Sequence, residues 1–172
     1  MPPESIQQTM IFYTCPRPVV LVSVDDGTRG NLFPMDLIGP VSPDRFTLAL
    51  RITSPSVEVM KATRRVALSD MPSALTPVIY KLGEHHKKQS IDWGSLPFQT
   101  ARSGMFQLPY PENAMRVREM EIIDHETVGS HTFFITREVS ETVRGAGPQL
   151  FHTNGNYQHF RARTGRGFQR AL

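Results

Sequence analysis

The sequence predicts a mainly β domain in which sequential antiparallel strands close into a barrel, accompanied by short helices. Three observations point there. Short runs of β-branched and aromatic residues recur, as in Val19-Val20-Leu21-Val22-Ser23-Val24 and Thr132-Phe133-Phe134-Ile135-Thr136. Turn residues bound these runs at hairpin spacing. No GxGxxG motif follows the first run, and helical patterns are too few to cover both faces of a parallel sheet, which sets aside a doubly wound fold.

The first strand, Val19 to Val24, is bounded by Pro18 and by the turn signal Asp25-Asp26-Gly27. Its return strand runs from Gly30 to about Ile38. Pro34 interrupts it; a proline cannot donate to a ladder, so this position marks a bulge or an exposed edge, where a ligand can approach. Gly39-Pro40-Val41-Ser42-Pro43-Asp44 reads as a loop, and Phe46 to Ile52 as a strand with one buried face. Ser54-Pro55 reads as a helix opening, the hydroxyl capping free N–H groups and Pro standing at the first position. A short helix from Val57 to Arg65 and a strand Val66 to Ser69 follow. Between Met71 and Ser103 the periodicity is weak, and the hydrophilic stretch Gly83 to Ser90 suggests a helical excursion with a mobile loop. Met115 to Asp124 and Thr132 to Val143 read as two long antiparallel strands joined near Glu126 to Ser130. Gly145-Ala146-Gly147-Pro148 ends the pair, and a short terminal unit runs from Gln149 to Phe160.

With 172 residues, 39% hydrophobic and 20% charged, the chain suffices for one folded domain, read as residues 1–160. The net charge of +3 is concentrated in Arg161, Arg163, Arg166 and Arg170, so residues 161–172 read as a basic tail. No basic surface interleaved with aromatics accompanies it, which disfavours nucleic acid. No apolar run approaches the roughly 20 residues of a membrane-spanning helix. Segment Met1 to Thr9 lacks the basic start of a secretory signal, and the single Cys15 fits a reducing compartment, so the expectation is cytoplasmic. Cys15 itself reads as a small buried thiol rather than a nucleophile. Glu84, His85, His86 and Asp92 match no familiar ligand spacing, and no metal is expected. No local motif assembles a nucleophile, a base and an orienting acid.

The order and spacing of several segments resemble the flavin reductase-like domain family. They are Cys15-Pro16-Arg17-Pro18-Val19-Val20-Leu21-Val22, Asn31-Leu32-Phe33-Pro34-Met35-Asp36, Pro40-Val41-Ser42-Pro43-Asp44, Gly129-Ser130-His131-Thr132-Phe133-Phe134-Ile135, Gln149-Leu150-Phe151-His152 and Gly155-Asn156-Tyr157. The resemblance covers about residues 10 to 160. It implies a six-stranded antiparallel Greek-key split β-barrel, FMN as cofactor with FAD as an alternative, NAD(P)H as hydride donor, and a homodimer with the flavin near its interface. It further implies NAD(P)H-dependent flavin reductase activity, with a partner oxygenase as a possible consumer of the reduced flavin.

By that resemblance Pro34, Met35, Asp36 and Leu37 pass beside the flavin ring, and Arg51, Ile52, Thr53, Ser54 and Ser56 meet its phosphate. The chemistry agrees, because serine and threonine hydroxyls and free N–H groups at a helix N-terminus favour an anion, and Arg51 would add a charge-assisted contact. Lys87 and Lys88 either reach a flavin or nicotinamide phosphate or form a solvated charge run. Two positions depart from the family pattern. Asp36 stands where relatives more often place a neutral group; it either accepts from the flavin N3–H or pairs with an arginine or with solvent. Ser130 replaces the acid of Gly-Asp-His, so His131, the candidate catalytic residue on the nicotinamide side, loses its orienting carboxylate. A second reading therefore stands beside the reductase: a non-catalytic flavin-binding or electron-carrier protein, or a haem binder, on the same barrel.

Overall fold

In this computed structural model, residues 16–153 and 156–160 are described. Cys15, the segment Met1 to Thr9, Gly155 and the basic tail 161–172 lie outside the described residues. A short β1 (Arg17–Pro18) leads into β2 (Val20–Asp25), which pairs with β3 (Gly30–Met35) across the expected turn. β4 (Ile38–Ser42) and β5 (Arg45–Arg51) form a second hairpin, followed by α1 (Ser56–Thr63) and β6 (Arg65–Asp70). The excursion contains α2 (Thr76–Lys81), three 3-10 turns, and the small hairpin β7 (Thr100–Arg102) and β8 (Pro109–Pro111). β9 (Arg116–Val128) and β10 (His131–Val143) are the long pair, and β11 (Gln149–Thr153) with β12 (Asn156–Phe160) closes the chain.

Seven strands make the main sheet, in the order β3-β2-β6-β9-β10-β5-β4, against the six that the resemblance implies. β1 pairs with β11 in a separate three-stranded sheet. β2 is apolar without alternation because both of its faces are covered. Val20, Val22 and Val24 join Phe33, Leu48, Leu50, Met60 and Phe134 in one core cluster. Leu21 points to a second cluster with Leu32, Ile79, Leu82, Val117 and Leu150. Each such aliphatic or aromatic side chain contributes about 1.5–3 kcal/mol relative to exposure.

Four sequence expectations change. Residues 38–42 form a strand rather than a loop, with Gly39 and Pro40 opposite Thr47 and Phe46; Pro40 is tolerated because β4 is an edge strand, with a bulge between Pro40 and Ser42. The excursion is packed rather than a free loop: Ile79 and Leu82 are buried against Leu21 and Leu32, and residues 85–91 bond to β3. Ser54 does not cap α1. Pro55 occupies the cap position with no side-chain bond, while the Ser54 carbonyl accepts from the Val57 N–H at 3.0 Å. The long hairpin turns in fewer residues than its sequence suggests, at Gly129 and Ser130, with Gly129 in the left-handed region at φ 59°.

Candidate functional site

The end of β3, the end of β5 and the start of β10 converge because of strand register. His131 is opposite Arg51, and the Ile52 N–H donates to the Ser130 carbonyl at 3.0 Å. Between these ends lies a cavity of about 460 Å³, within the few hundred cubic ångströms of a small-molecule site. Its apolar wall is Pro34, Met35, Leu37, Ala49 and Leu50; its polar rim is Asp36, Arg51, Thr53, Ser54, His86, Lys87 and His131.

One wall is an edge strand whose outward groups have been satisfied individually. β3 borders the main sheet, and residues 30, 32 and 34 turn their backbone polar groups away from β2. The Gly30 carbonyl accepts from the Ile91 N–H at 2.9 Å. His85 Nδ1–H donates to the Leu32 carbonyl at 2.8 Å, and His86 Nε2–H to the Pro34 carbonyl at 2.9 Å. Pro34 has no N–H to satisfy, so proline suits this position. Asn31 Nδ2 donates to the carbonyls of His85 (2.8 Å) and Lys88 (3.2 Å), which holds the turn against the strand. The His86 ring meets the Phe33 ring with centroids 4.7 Å apart. Burial pushes the His86 imidazole below its ordinary pKa against the opposing pull of the Pro34 carbonyl and Asp36, so its neutral form is favoured.

Asp36 is the centre of a charge cluster. Its Oδ2 accepts from Arg17 Nη2 at 2.7 Å, from Arg17 Nε at 3.2 Å, and from His152 Nδ1. The register Arg17↔His152 between β1 and β11 delivers both partners to the same oxygen. Burial raises the Asp36 carboxyl, but the bonds from His152 and Arg17 outweigh it and hold the pKa below the ordinary carboxylate value. The aspartate that departs from the family pattern thus pairs with an arginine, as one of its two sequence readings has it.

At the opposite end, Arg51 and Thr53 are exposed and Ser54 is buried, with α1 opening directly behind them. Ser54 Oγ donates to the His86 carbonyl at 3.2 Å, linking this end to the wall. His131 is half-buried, and its Nδ1 meets Ser130 Oγ at 3.0 Å, so a hydroxyl stands in the position of the missing carboxylate.

Of the residues singled out in the sequence, Pro34, Met35, Asp36, Leu37, Arg51, Thr53, Ser54 and His131 share this cavity. Three fall outside its lining. Ile52 is 52% exposed and turned away, Ser56 is buried with its Oγ accepting from Asn31 Nδ2 at 3.3 Å, and Lys87 rather than Lys88 reaches the rim. Sequence reasoning missed His86 as a lining residue. Its signal was indirect: an edge strand carrying Pro34 leaves carbonyls that need donors, and adjacent histidines supply two.

An apolar wall with a cationic, hydroxyl-bearing rim suits an apolar ring with an anionic tail. Among the described residues, no three His, Cys, Asp or Glu side chains gather as a metal site, and no helix is long and apolar enough to cross a membrane. The profile of the family described as "Flavin reductase like domain" matches residues 12–161. A search of the curated proteins finds no significant match. Among solved structures, the FMN-binding protein from Thermus thermophilus with bound 1-cyclohex-2-enone is 22% identical at a TM-score of 0.74, over 87% of this chain and 89% of that one. BorF, the flavin reductase component of a bacterial two-component tryptophan halogenase, is 15% identical at 0.78, over 89% and 96%. The Streptomyces globisporus C-1027 NADH:FAD oxidoreductase SgcE6 is 17% identical at 0.78, over 89% and 90%. At these identities the likeness is one of fold.

Proposed function

The chain belongs to the flavin reductase-like domain family, and on that premise we propose that it is an NAD(P)H-dependent flavin reductase using FMN in the cavity between β3, β5 and β10. The observation that carries the reading is the convergence of residues 34–37, Arg51, Thr53, Ser54 and His131 on one cavity. The seven-stranded sheet is read as the family's split barrel, with residues 1–160 as the flavin domain, 161–172 as a tail, and a cytoplasmic location.

Bound flavin supplies the redox chemistry: NAD(P)H and a proton are consumed, and oxidised nicotinamide and dihydroflavin are produced. The chain's own residues bind and orient. Pro34, Met35, Leu37 and Ala49 present an apolar surface to the ring. Arg51 and Thr53, backed by the α1 N-terminus and with Lys87 at the rim, offer positive charge and donors to the phosphate, while Ser54 lines the same end with its hydroxyl proton given to the His86 carbonyl. His131, oriented by Ser130, lies on the side where nicotinamide enters. The fit of the polar rim to a phosphate favours FMN over an uncharged flavin.

A homodimer is part of the same reading. Phe133, two residues beyond His131 on the same strand face, is 42% exposed, and Ile52 and Val128 nearby are 52% and 56% exposed. A second copy would cover this apolar area and the cavity mouth together. Since BorF is the reductase component of a two-component halogenase, a partner oxygenase is the proposed acceptor of reduced flavin.

The test is the visible spectrum of the purified protein before and after addition of FMN and desalting, followed by NAD(P)H oxidation with added FMN. Retained flavin bands and oxidation above the free-flavin background are expected. Retention without oxidation would replace the reductase by a flavin carrier, and absence of any flavin binding would overturn the reading.

A further inference from the structure

We propose that His86 is a specificity-determining residue of the cavity, its Nδ1 accepting a hydrogen bond from a hydroxyl of the polyol chain that joins a flavin ring to its phosphate. The inference rests on the flavin reading above and deepens it.

His86 spans the site. Its ring is bonded to the Pro34 carbonyl at the apolar end, and its own carbonyl accepts from Ser54 Oγ at the cationic end beside Arg51. A ligand with its ring beside residues 34–37 and its phosphate at Arg51, Thr53 and Ser54 therefore passes its linker across this residue. A carbonyl can only accept, so Nε2 carries the proton and, in the neutral imidazole, Nδ1 keeps a lone pair. Nδ1 makes no hydrogen bond to any described residue, while the side chain lines the cavity and is otherwise fixed by Phe33. An acceptor held in place at the cavity wall with no protein partner selects a ligand that brings a donor. Polyol hydroxyls are such donors.

Burial disfavours the imidazolium. The titratable and charged groups facing the ring are Asp36 from the β3 end, which favours the cation, and Arg51 from the β5 end and His85 on the same turn, which oppose it. Lys87 shares the rim.

The full chain, wild type and the variants His86→Gln and His86→Asn, is titrated with FMN, riboflavin and lumiflavin, the last lacking the polyol chain. Gln keeps a donor toward Pro34 but has no acceptor at the δ position; Asn has one. We expect the wild type to prefer riboflavin over lumiflavin about tenfold, the size of one net hydrogen bond. Preference falls below about twofold in His86→Gln and persists in His86→Asn, with lumiflavin affinity nearly constant in all three. In the wild type the preference holds through the ordinary imidazole pKa of about 6.5 and declines only at lower pH, because burial keeps the folded ring neutral. A folded His86→Gln protein that keeps the full preference would overturn the proposal. So would a wild type that binds FMN without preferring riboflavin, and in that case the reductase reading survives. Failure of the wild type to bind any of the three overturns both.

Discussion

Replacing Asp36 by Asn probes the one site where both ends of the described fold meet the cavity wall. Asp36 Oδ2 accepts two bonds from Arg17 and one from His152, and the three side chains are 23%, 18% and 18% exposed. Hydrogen bonds to charged groups contribute about 1.5–3 kcal/mol each. Three donors sharing one oxygen are not additive, and solvent reaches all of them, so the expected loss is about 2–3 kcal/mol. For a chain of this length that lowers Tm by roughly 4–12 °C. The assay is urea unfolding of the flavin-free protein, with Arg17→Met and the double variant closing a thermodynamic cycle. A coupling of at least about 1 kcal/mol between the two positions is expected. Because the folded carboxyl pKa lies below its unfolded value, the advantage of the aspartate is complete above about pH 5. It shrinks as the pH falls through the depressed folded pKa, where both proteins converge. A loss under about 0.5 kcal/mol, or strict additivity with Arg17→Met, would refute the cluster as a stabilising unit.

Glu119 is 3% exposed, and its carboxylate accepts from Ser103 Oγ (2.6 Å), Phe106 N–H (2.6 Å) and Met105 N–H. Glu119→Gln should cost about 2 kcal/mol in a denaturant midpoint, because an amide turns donors toward donors. Gly129→Val should destabilise by about 1–2 kcal/mol by the same measurement, through backbone conformation alone, since a Cβ there meets nothing within 4 Å. His86 is held neutral by burial, so the unfolded chain takes up its proton first, and wild-type stability should fall relative to His86→Gln as pH drops below about 6.5 in paired melts. Burial raises the Asp70 pKa despite Arg118 and Arg116, and its Oδ1 is buried without a partner among the described residues. Asp70→Asn should therefore raise Tm at neutral pH, a gain that disappears below the unfolded carboxyl pKa of about 3.9.

The sequence was informative where a local pattern decides the structure. The β2–β3 turn, the β5 strand and the β9–β10 pair follow from alternation, turn residues and β-branched runs, and Pro34 correctly marks an edge. It was silent where long-range satisfaction decides. Nothing near Asp36 in sequence announces His152, because their meeting depends on β1 pairing with β11. The hydrophilic run from Gly83 to Ser90 reads as a solvated loop, since composition does not reveal that its polar groups serve the edge of a strand 50 residues earlier. Ile52 and Ser56 share their segment with true lining residues, and only the local backbone path turns one to solvent and the other inward. Ser130 looks like a loss beside His131, yet its hydroxyl reaches the ring.

The Arg17–Asp36–His152 cluster also sets an order of events during synthesis. Arg17 and Asp36 are 19 residues apart and can meet early, whereas His152 is 116 residues beyond Asp36. At about 5–20 residues per second, roughly 6–23 s of translation separate the two. Throughout that interval a nascent chain owns the first hairpins but not the completed wall. A product truncated before β11 carries the strands of the main sheet but leaves Asp36 with Arg17 and without His152.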